Sequence, residues 1–173
     1  MSLKDKIRTV PNWPIDGVMF RDITSLLQEP EAFREACDRL YDRYKDMQID
    51  KIVGIDARGF VFGAVLAYKL GVGFVPVRKK GKLPPETVSQ DYSLEYGTNT
   101  VEIRNDAIRK GEKVLIVDDL IATGGTISAA AKLVEKLGGE VLECAFIIEL
   151  PDLKGREMIK GYKIFTLVEF EGE

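Results

Sequence analysis

Continuous apolar runs and helical apolar periods alternate along the chain from residue 51 onward. The runs predict buried strands over residues 51–55, 74–78, 114–117 and 141–148. Between them, apolar residues recur at helical spacing over residues 58–70, before Gly71, and over residues 127–134, before Gly138. This alternation is typical of an α/β fold, with a mainly parallel central sheet and helices on both faces.

Weaker signals predict the remaining elements. Ser2 and Asp5 have capping spacing and favour a helix over residues 2–10, and Pro30 favours the first turn of a helix that runs to Met47. Short helices are expected over residues 105–109, closed by Gly111, and over 151–159. Extended segments are expected over residues 18–20 and 162–168, and in a hairpin of 92–96 with 100–103 across 97–99.

Length and loops indicate how the chain is organised. Its 173 residues suit one well-cored domain, residues 1–173. We expect the first 35 or so residues to form a cap over the sheet. Residues 79–90 are rich in Lys, Gly and Pro and have no apolar period, so we expect a flexible loop that includes the hairpin and spans about 79–99.

Composition excludes several classes of function. With 25 basic and 28 acidic residues the net charge is −3, which does not favour general nucleic-acid binding. Because the chain has no histidine, it has no Ser-His-Asp triad and no histidine-bound zinc, and proton transfer falls to Asp, Glu, Lys, Tyr or water. We expect any metal to be a hard cation held by oxygen atoms.

The expected location is the cytoplasm, away from membranes. Cys37 and Cys144 lie in apolar settings far apart in sequence, which favours two reduced core thiols. The N-terminus has no signal-peptide pattern, and no apolar run approaches the roughly 20 residues that a membrane helix needs.

The segment 113–126 carries the strongest chemical signal. An apolar strand ends at two adjacent carboxylates, Asp118 and Asp119, which can accept hydrogen bonds from two neighbouring hydroxyls. The loop that follows opens a helix, and its glycines let backbone N–H groups approach an anion closely. A phosphate and a diol held a few ångströms apart describe a ribose 5-phosphate. The loop consists of Ala122, Thr123, Gly124, Gly125 and Thr126.

Two other loops are expected at the same edge of the sheet, because ligands of parallel sheets bind at the carboxyl ends of the strands. Arg58 follows one predicted strand, and Arg78 and Lys79 end another. Arginine binds phosphate through paired donors, whereas lysine acts as a point charge. The ends of three predicted strands therefore carry groups that can bind phosphate.

Four segments together resemble the type I phosphoribosyltransferase family. Residues 114–126 resemble its phosphoribosyl pyrophosphate motif along their whole length. Three further segments resemble the members of the family that act on adenine. Residues 17–23 resemble their base-binding segment, residues 56–60 their pyrophosphate loop, and residues 92–97 the loop that carries their catalytic glutamate. The resemblance covers essentially the whole sequence, with small departures at Trp13 and Asp16.

The resemblance implies a reaction in purine salvage. The phosphoribosyl group passes from phosphoribosyl pyrophosphate to adenine, giving AMP and pyrophosphate. Magnesium (Mg²⁺) is required and is held mainly by substrate and water, without a direct protein ligand. A homodimer is implied, because part of the pyrophosphate site lies across the subunit interface.

The resemblance also implies residue roles. Asp118 and Asp119 serve the ribose, and residues 122–126 serve the phosphoribosyl phosphate. Phe20 stacks on adenine, beside Met19, while main-chain groups near Arg21 read the N6 amine and N1. The implied pyrophosphate-binding residues are Arg58, Arg78, Lys79 and Lys82.

Glu95 is the implied catalytic acid. In the family, the loop folds over the substrates and brings this glutamate to N7 of the base, and Tyr96 helps to position the loop or the base. Closure would raise the pKa of the carboxyl group by burying it. Ala122 supports this assignment, because relatives acting on hypoxanthine and guanine carry an aspartate there that takes part in proton transfer.

Two alternatives stay open. The first is an enzyme for another base, such as xanthine or hypoxanthine, against which Ala122 and residues 17–23 argue. The second is a regulatory protein that keeps the fold to sense a ligand and binds DNA or RNA. The short sequence and its negative charge argue against that class.

Overall fold

Two sheets organise the protein in its computed structural model, which describes residues 2–94 and 96–172. The strands are β1 (Arg8–Pro11), β2 (Met19–Asp22), β3 (Lys51–Ile55), β4 (Gly73–Lys79), β5 (Thr87–Ser93), β6 (Thr98–Arg104), β7 (Lys113–Ile121), β8 (Glu140–Glu149) and β9 (Ile164–Glu169). β1 and β2 form an antiparallel ribbon, and the other strands form one sheet in the order β5-β6-β4-β3-β7-β8-β9. The five neighbouring strands β4, β3, β7, β8 and β9 are parallel to one another. The β5–β6 hairpin forms one edge of the sheet, and β6 pairs antiparallel with β4. The predicted mainly parallel sheet is confirmed.

Helices cover both faces of this sheet. They are α1 (Thr24–Leu27), α2 (Pro30–Tyr44), α3 (Arg58–Leu70), α4 (Gly125–Lys136) and α5 (Gly155–Met158), with single 3-10 turns at Leu3–Lys6 and Pro151–Leu153. On β7, Leu115 packs into the core with Leu40 of α2 and Phe62 of α3. Its neighbour Ile116 packs into the opposite core with Leu133 of α4. Successive strand residues face opposite sides, so a strand covered on both faces needs the continuous apolar run seen here.

The topology creates a crevice between β3 and β7. The polypeptide moves outward from β3 through α3 to β4, and in the other direction from β7 through α4 to β8. β7 pairs with β3 only as far as Val117 opposite Gly54, yet it continues beside β8 to Ile121. Asp118 and Asp119 therefore lie just beyond the last residues of β7 that pair with β3, at the point where the direction of winding reverses.

The predicted N-terminal helix over residues 2–10 is wrong. Only one 3-10 turn forms, without a hydrogen bond from the Ser2 side chain, and the backbone then enters β1. β1 pairs with β2, with Thr9 opposite Arg21. Pairing with a strand distant in sequence outweighed the local preference for helix.

Three other predictions differ from the structure. The predicted hairpin forms, but Ser93 pairs with Thr98, so its turn begins before the predicted residues 97–99. Its first strand, β5, already begins at Thr87. Residues 105–109 form turns rather than a helix, and the N–H of Arg109 donates to the Glu112 carboxylate at 2.6 Å. The helix predicted over 151–159 is split at Lys154, whose φ is 55°. Segments this short offer too few helical hydrogen bonds to offset nucleation.

Within residues 2–94 and 96–172, no helix is both long and apolar enough to cross a membrane.

Candidate active site

The two acids at the end of β7 sit in different environments. Asp119 is buried, and its Oδ2 accepts a hydrogen bond from Nε of Arg58 at 2.6 Å. Asp118 is partly exposed, and its Oδ1 accepts the Asp119 N–H at 2.8 Å. Enclosure by the protein raises the pKa of Asp118 well above its usual range, and the neighbouring Asp119 carboxylate raises it further.

Arg58 is placed by the start of α3. Gly59 follows it and lies so close to β7 that a Cβ there would stand 2.8 Å from the Val117 carbonyl oxygen and 2.9 Å from Oδ1 of Asp118. Partial burial lowers the pKa of Arg58, but the Asp119 carboxylate outweighs it and holds the pKa above its ordinary value. The guanidinium is about half exposed and stays charged, so it can present donors to an anion.

The loop after β7 encloses a small polar cavity. The cavity has a volume of about 180 Å³ and is lined by residues 120–127 together with Asp118 and Phe146. Gly124 has a φ of 88° and precedes the first turn of α4, whose leading N–H groups have no acceptor within the helix. This is the cradle geometry that the sequence predicts for an anion.

Gly155 at the start of α5 supports this loop from behind. A Cβ on Gly155 would collide with the carbonyl oxygen of Ala122, and a Cβ on Gly124 would stand 2.5 Å from the Gly155 carbonyl oxygen. Arg156 holds α5 against β8 through Nε and Nη2 hydrogen bonds of 2.7 and 2.8 Å to the Glu149 carboxylate. The predictions did not give Gly155 a function, because its effect depends on the approach of two distant segments.

A central cleft of about 270 Å³ connects the acid pair to the basic strand ends. Arg78 lines it and donates from Nε to Asp56 Oδ2 at 2.9 Å. Lys79 also lines it, whereas the exposed Lys82 does not. The cleft shares Asp118 and Thr126 with the loop cavity. Of the four predicted pyrophosphate residues, three therefore lie in one cleft.

A larger and more apolar pocket, about 560 Å³, adjoins the cleft at Arg58. Phe20 and Trp13 form its aromatic wall, with ring centroids 4.6 Å apart in an edge-to-face arrangement. The three cavities are neighbours, because the central cleft shares Arg58 with the aromatic pocket and shares Asp118 and Thr126 with the loop cavity. The pocket is also lined by Arg8, Val10, Asp22 and Thr24, which the predictions did not include.

Met19 and Arg21 do not line this pocket. Met19 is exposed, and the Arg21 side chain donates to Oγ1 of Thr9 at 2.7 Å and to the Glu171 carbonyl oxygen at 3.1 Å. Its guanidinium also lies 4.6 Å from the centre of the Phe170 ring. A base-reading role for Arg21 would therefore use its main chain, which is the role that the resemblance implies.

Glu95 lies outside the described residues. Tyr96 is exposed, and Tyr92, three residues before Glu95, lines the central cleft. The catalytic assignment of Glu95 stays a prediction.

Several known proteins are similar to this one over nearly its whole length. Residues 22–172 match the family model of the phosphoribosyl transferase domain. Adenine phosphoribosyltransferase of Desulfosudis oleivorans is 72% identical over 173 residues, covering 100% of both sequences. The crystal structure of the adenine phosphoribosyltransferase from Thermoanaerobacter pseudethanolicus is 52% identical, with a TM-score of 0.94 over 97% of this protein and 98% of that one. The Saccharomyces cerevisiae enzyme, complexed with adenine and an imino-altritol bisphosphate, is 45% identical, with a TM-score of 0.90 over 96% of each protein.

Proposed function

The chain belongs to the phosphoribosyltransferase family, among its adenine phosphoribosyltransferases, and from this premise we infer how its cleft works. It is a glycosyltransferase of purine salvage that joins adenine to phosphoribosyl pyrophosphate and releases AMP and pyrophosphate. The observation that carries the assignment of roles is that the central cleft shares lining residues with both other cavities, Arg58 with the aromatic pocket and Asp118 and Thr126 with the loop cavity.

The phosphoribosyl group occupies the loop cavity and the acid pair in this proposal. Residues 122–126 bind the 5-phosphate through backbone N–H groups and the hydroxyls of Thr123 and Thr126. Asp118 and Asp119 accept hydrogen bonds from the ribose hydroxyls. Their negative charge stabilises the positive charge that develops on the sugar as its bond to pyrophosphate breaks.

Pyrophosphate leaves toward the basic strand ends. Arg58 binds it from α3, and Arg78, Lys79 and Lys82 bind it from the end of β4 and the loop beyond. Arg58 and Arg78 are each paired with an aspartate, so their planar donors are already oriented. Lys82 joins the site when the loop over 79–99 closes, a movement that also excludes water from the reactive sugar.

Adenine occupies the aromatic pocket. Phe20 stacks on the base, with Trp13 as the second ring of the wall, whereas Met19, the residue before Phe20 on β2, does not line the pocket. Backbone C=O and N–H groups near Arg21 match the N6 donor and N1 acceptor of adenine. A 6-oxopurine reverses both groups and would leave buried polar atoms unpaired, which favours adenine over hypoxanthine. Glu95 in its acid form donates a hydrogen bond to N7 of the base while N9 bonds to the sugar. The bond from the sugar to pyrophosphate breaks in the same step, and the proton displaced from N9 passes to the departing pyrophosphate or to water.

Magnesium fits the donor chemistry of the cleft. No cluster of three metal-ligating side chains occurs in the part of the protein that the structure describes. Carboxylate oxygens of Asp118 and Asp119 and the hydroxyl of Thr126 line the cleft, a hard-oxygen set suited to Mg²⁺ that is held mainly by substrate phosphates and water. When bound, the ion supplies positive charge that neutralises the departing pyrophosphate.

The same proposal includes the organisation of the protein. Residues 1–173 form one domain, in which residues 1–35 are a cap that supplies the pocket wall. The proposed homodimer follows from the family resemblance of the pyrophosphate site, and equilibrium sedimentation should give twice the monomer mass of 19.3 kDa. The two free, buried thiols, Cys37 and Cys144, favour a cytoplasmic location.

A pyrophosphate-release assay with adenine, hypoxanthine, guanine and xanthine tests the assignment. We expect Mg²⁺-dependent turnover with adenine, at a kcat/KM at least about 100 times that of hypoxanthine, because the site's polar groups stay unpaired with a 6-oxopurine. Preference for hypoxanthine would contradict the base assignment, and activity unaffected by a chelator would contradict the metal.

A further inference from the structure

A buried carboxylate holds the two ends of the basic loop together. Glu102 lies on β6 and is 8% exposed. Its Oε1 accepts the backbone N–H of Gly81 at 2.8 Å, and its Oε2 accepts the hydroxyl of Thr87 at 2.9 Å. Gly81 lies near the start of the segment between β4 and β5, and Thr87 begins β5. Each carboxylate oxygen therefore binds one end of the loop.

β6 fixes the same segment at further points. Arg78 pairs with Glu102 itself, and Lys79 pairs with Val101, in the β4–β6 ladder. The N–H of Lys80 donates to the Thr100 carbonyl oxygen at 3.0 Å. The basic residues at the end of β4 thus depend on β6 for their position, and the Glu102 carboxylate makes the hydrogen bonds that extend this support beyond the strand.

A carboxylate suits this position better than an amide. Both groups that Glu102 binds are donors, and an ionised carboxylate accepts at both oxygens. A glutamine would turn an NH₂ group toward one of the donors and lose that hydrogen bond. Burying an acid is costly unless hydrogen bonds offset the cost, and here the donors come from the loop.

We propose that Glu102 is a positioning residue for the pyrophosphate end of the site, acting through Gly81 and Thr87 on Arg78, Lys79 and Lys82. This inference rests on the proposed function, because it assigns pyrophosphate to those basic residues. Glu102 does not touch the substrate. Its loss should weaken binding of the pyrophosphate portion and leave adenine binding unchanged.

Steady-state kinetics of Glu102→Gln and Thr87→Val test the proposal. We expect each variant to raise the KM for phosphoribosyl pyrophosphate about tenfold, the change that corresponds to one lost charge-assisted hydrogen bond. The KM for adenine should change less than about twofold. Thr87→Ser keeps the hydroxyl and should restore the wild-type KM. If Glu102→Gln does not fold, Thr87→Val still decides the question, since it removes only the donor.

Glu143→Gln is the matched control. Glu143 is another buried acid, hydrogen-bonded to Arg43 and Tyr44 rather than to the loop. It should lower thermal stability without moving the KM for phosphoribosyl pyrophosphate. The proposal is overturned if Thr87→Val leaves that KM unchanged, or if Glu143→Gln raises it equally. Wild-type turnover with adenine tests the proposed function separately, and calorimetric binding of pyrophosphate to the same variants measures the effect of Glu102 without turnover.

Discussion

Glu95 is the side chain on which proton transfer depends in the proposed reaction. Two other carboxylates at the cleft are already engaged: Asp56 accepts from Arg78, and Asp119 accepts from Arg58. Each of these two carboxylates already accepts a hydrogen bond from a guanidinium group, whereas a glutamate on the loop after β5 is placed by the resemblance at the base. The sequence has no histidine to replace Glu95.

Glu95→Gln should lower kcat by roughly 10²- to 10⁴-fold, the usual contribution of a positioned general acid. The KM for phosphoribosyl pyrophosphate should change little, because other residues bind that substrate. Stopped-time assays over a range of both substrates measure the two constants. Glu86→Gln removes an exposed acid from the same loop and should behave like the wild type. A full rate in Glu95→Gln would remove Glu95 from this role.

Helix α5 supports the phosphate loop before α4, although α5 itself does not line the cavity of that loop. α5 has only four residues and offers few hydrogen bonds of its own. It is held by Arg156 on Glu149, and the Leu150 N–H donates to the Ile121 carbonyl oxygen at 3.0 Å. These hydrogen bonds hold the end of β8 against the end of β7, and Gly155 packs against Ala122 and Ile121 beside them.

Gly155→Ala should displace the Ala122 carbonyl oxygen and so distort the phosphate loop. We expect a rise of about tenfold or more in the KM for phosphoribosyl pyrophosphate, since misplacement by about an ångström is costly in preorganised sites. Gly73→Ala is the control: its Cβ would meet only the Cδ and Cε atoms of Lys51, at 3.5 and 3.6 Å. Equal kinetics for the two variants would show that α5 does not support the loop.

Buried acids connect the stability of the whole molecule to pH. Hydrogen bonds from Arg156 hold the pKa of Glu149 below its usual value, despite burial that opposes this shift. A carboxyl group whose pKa is lowered on folding contributes stability above its unfolded pKa of about 4.3, and that stability is lost as pH falls through the lower folded pKa.

Glu149→Gln should therefore reduce the free energy of unfolding at pH 7 by roughly 1.5–3 kcal/mol, the range for hydrogen bonds to a charged group. The difference from the wild type should shrink below about pH 4, where the unfolded carboxyl group is protonated. Urea denaturation between pH 7 and pH 3 measures both effects. Glu157→Gln removes an exposed acid of α5 and should leave the curve unchanged. A pH-independent difference would contradict the assigned cause.

The two cores protect one thiol each. Burial raises the pKa of Cys37 to about 11 and that of Cys144 to about 12. Cys37 belongs to the core beside α2 and α3, and Cys144 to the core beside α4. The thiolate, which is the reactive form, is therefore scarce at neutral pH.

The folded protein should react with a disulfide reagent at pH 8 at least about 100-fold more slowly than free cysteine, because the thiolate is scarce and enclosed. Both thiols should react at once in guanidinium chloride. The spectrophotometric count of released reagent measures this, and Cys37→Ser should lower the final count by one. Rapid reaction of two thiols in the folded protein would show that the cores open readily.

Residues close together in sequence made much of the fold predictable. The apolar run before Asp118 predicts β7, and Gly71 marks the end of α3, because each signal depends on burial or on backbone geometry within a few residues. The acid pair and the glycine loop after it predict a phosphate and diol site for the same reason. The absence of histidine by itself narrows the set of groups that can transfer a proton.

Tertiary structure decided what local signals could not. β1 forms because a distant strand pairs with it, against the helical signal around Ser2. The ion pair of Arg58 with Asp119, the bond of Thr87 to Glu102 and the approach of Gly155 to Ala122 each join segments separated in sequence. Such contacts depend on the spatial order of the strands in the sheet, which no local sequence pattern specifies. The contacts of Arg58 with Asp119 and of Gly155 with Ala122 both lie at the carboxyl ends of the parallel strands, where the site forms.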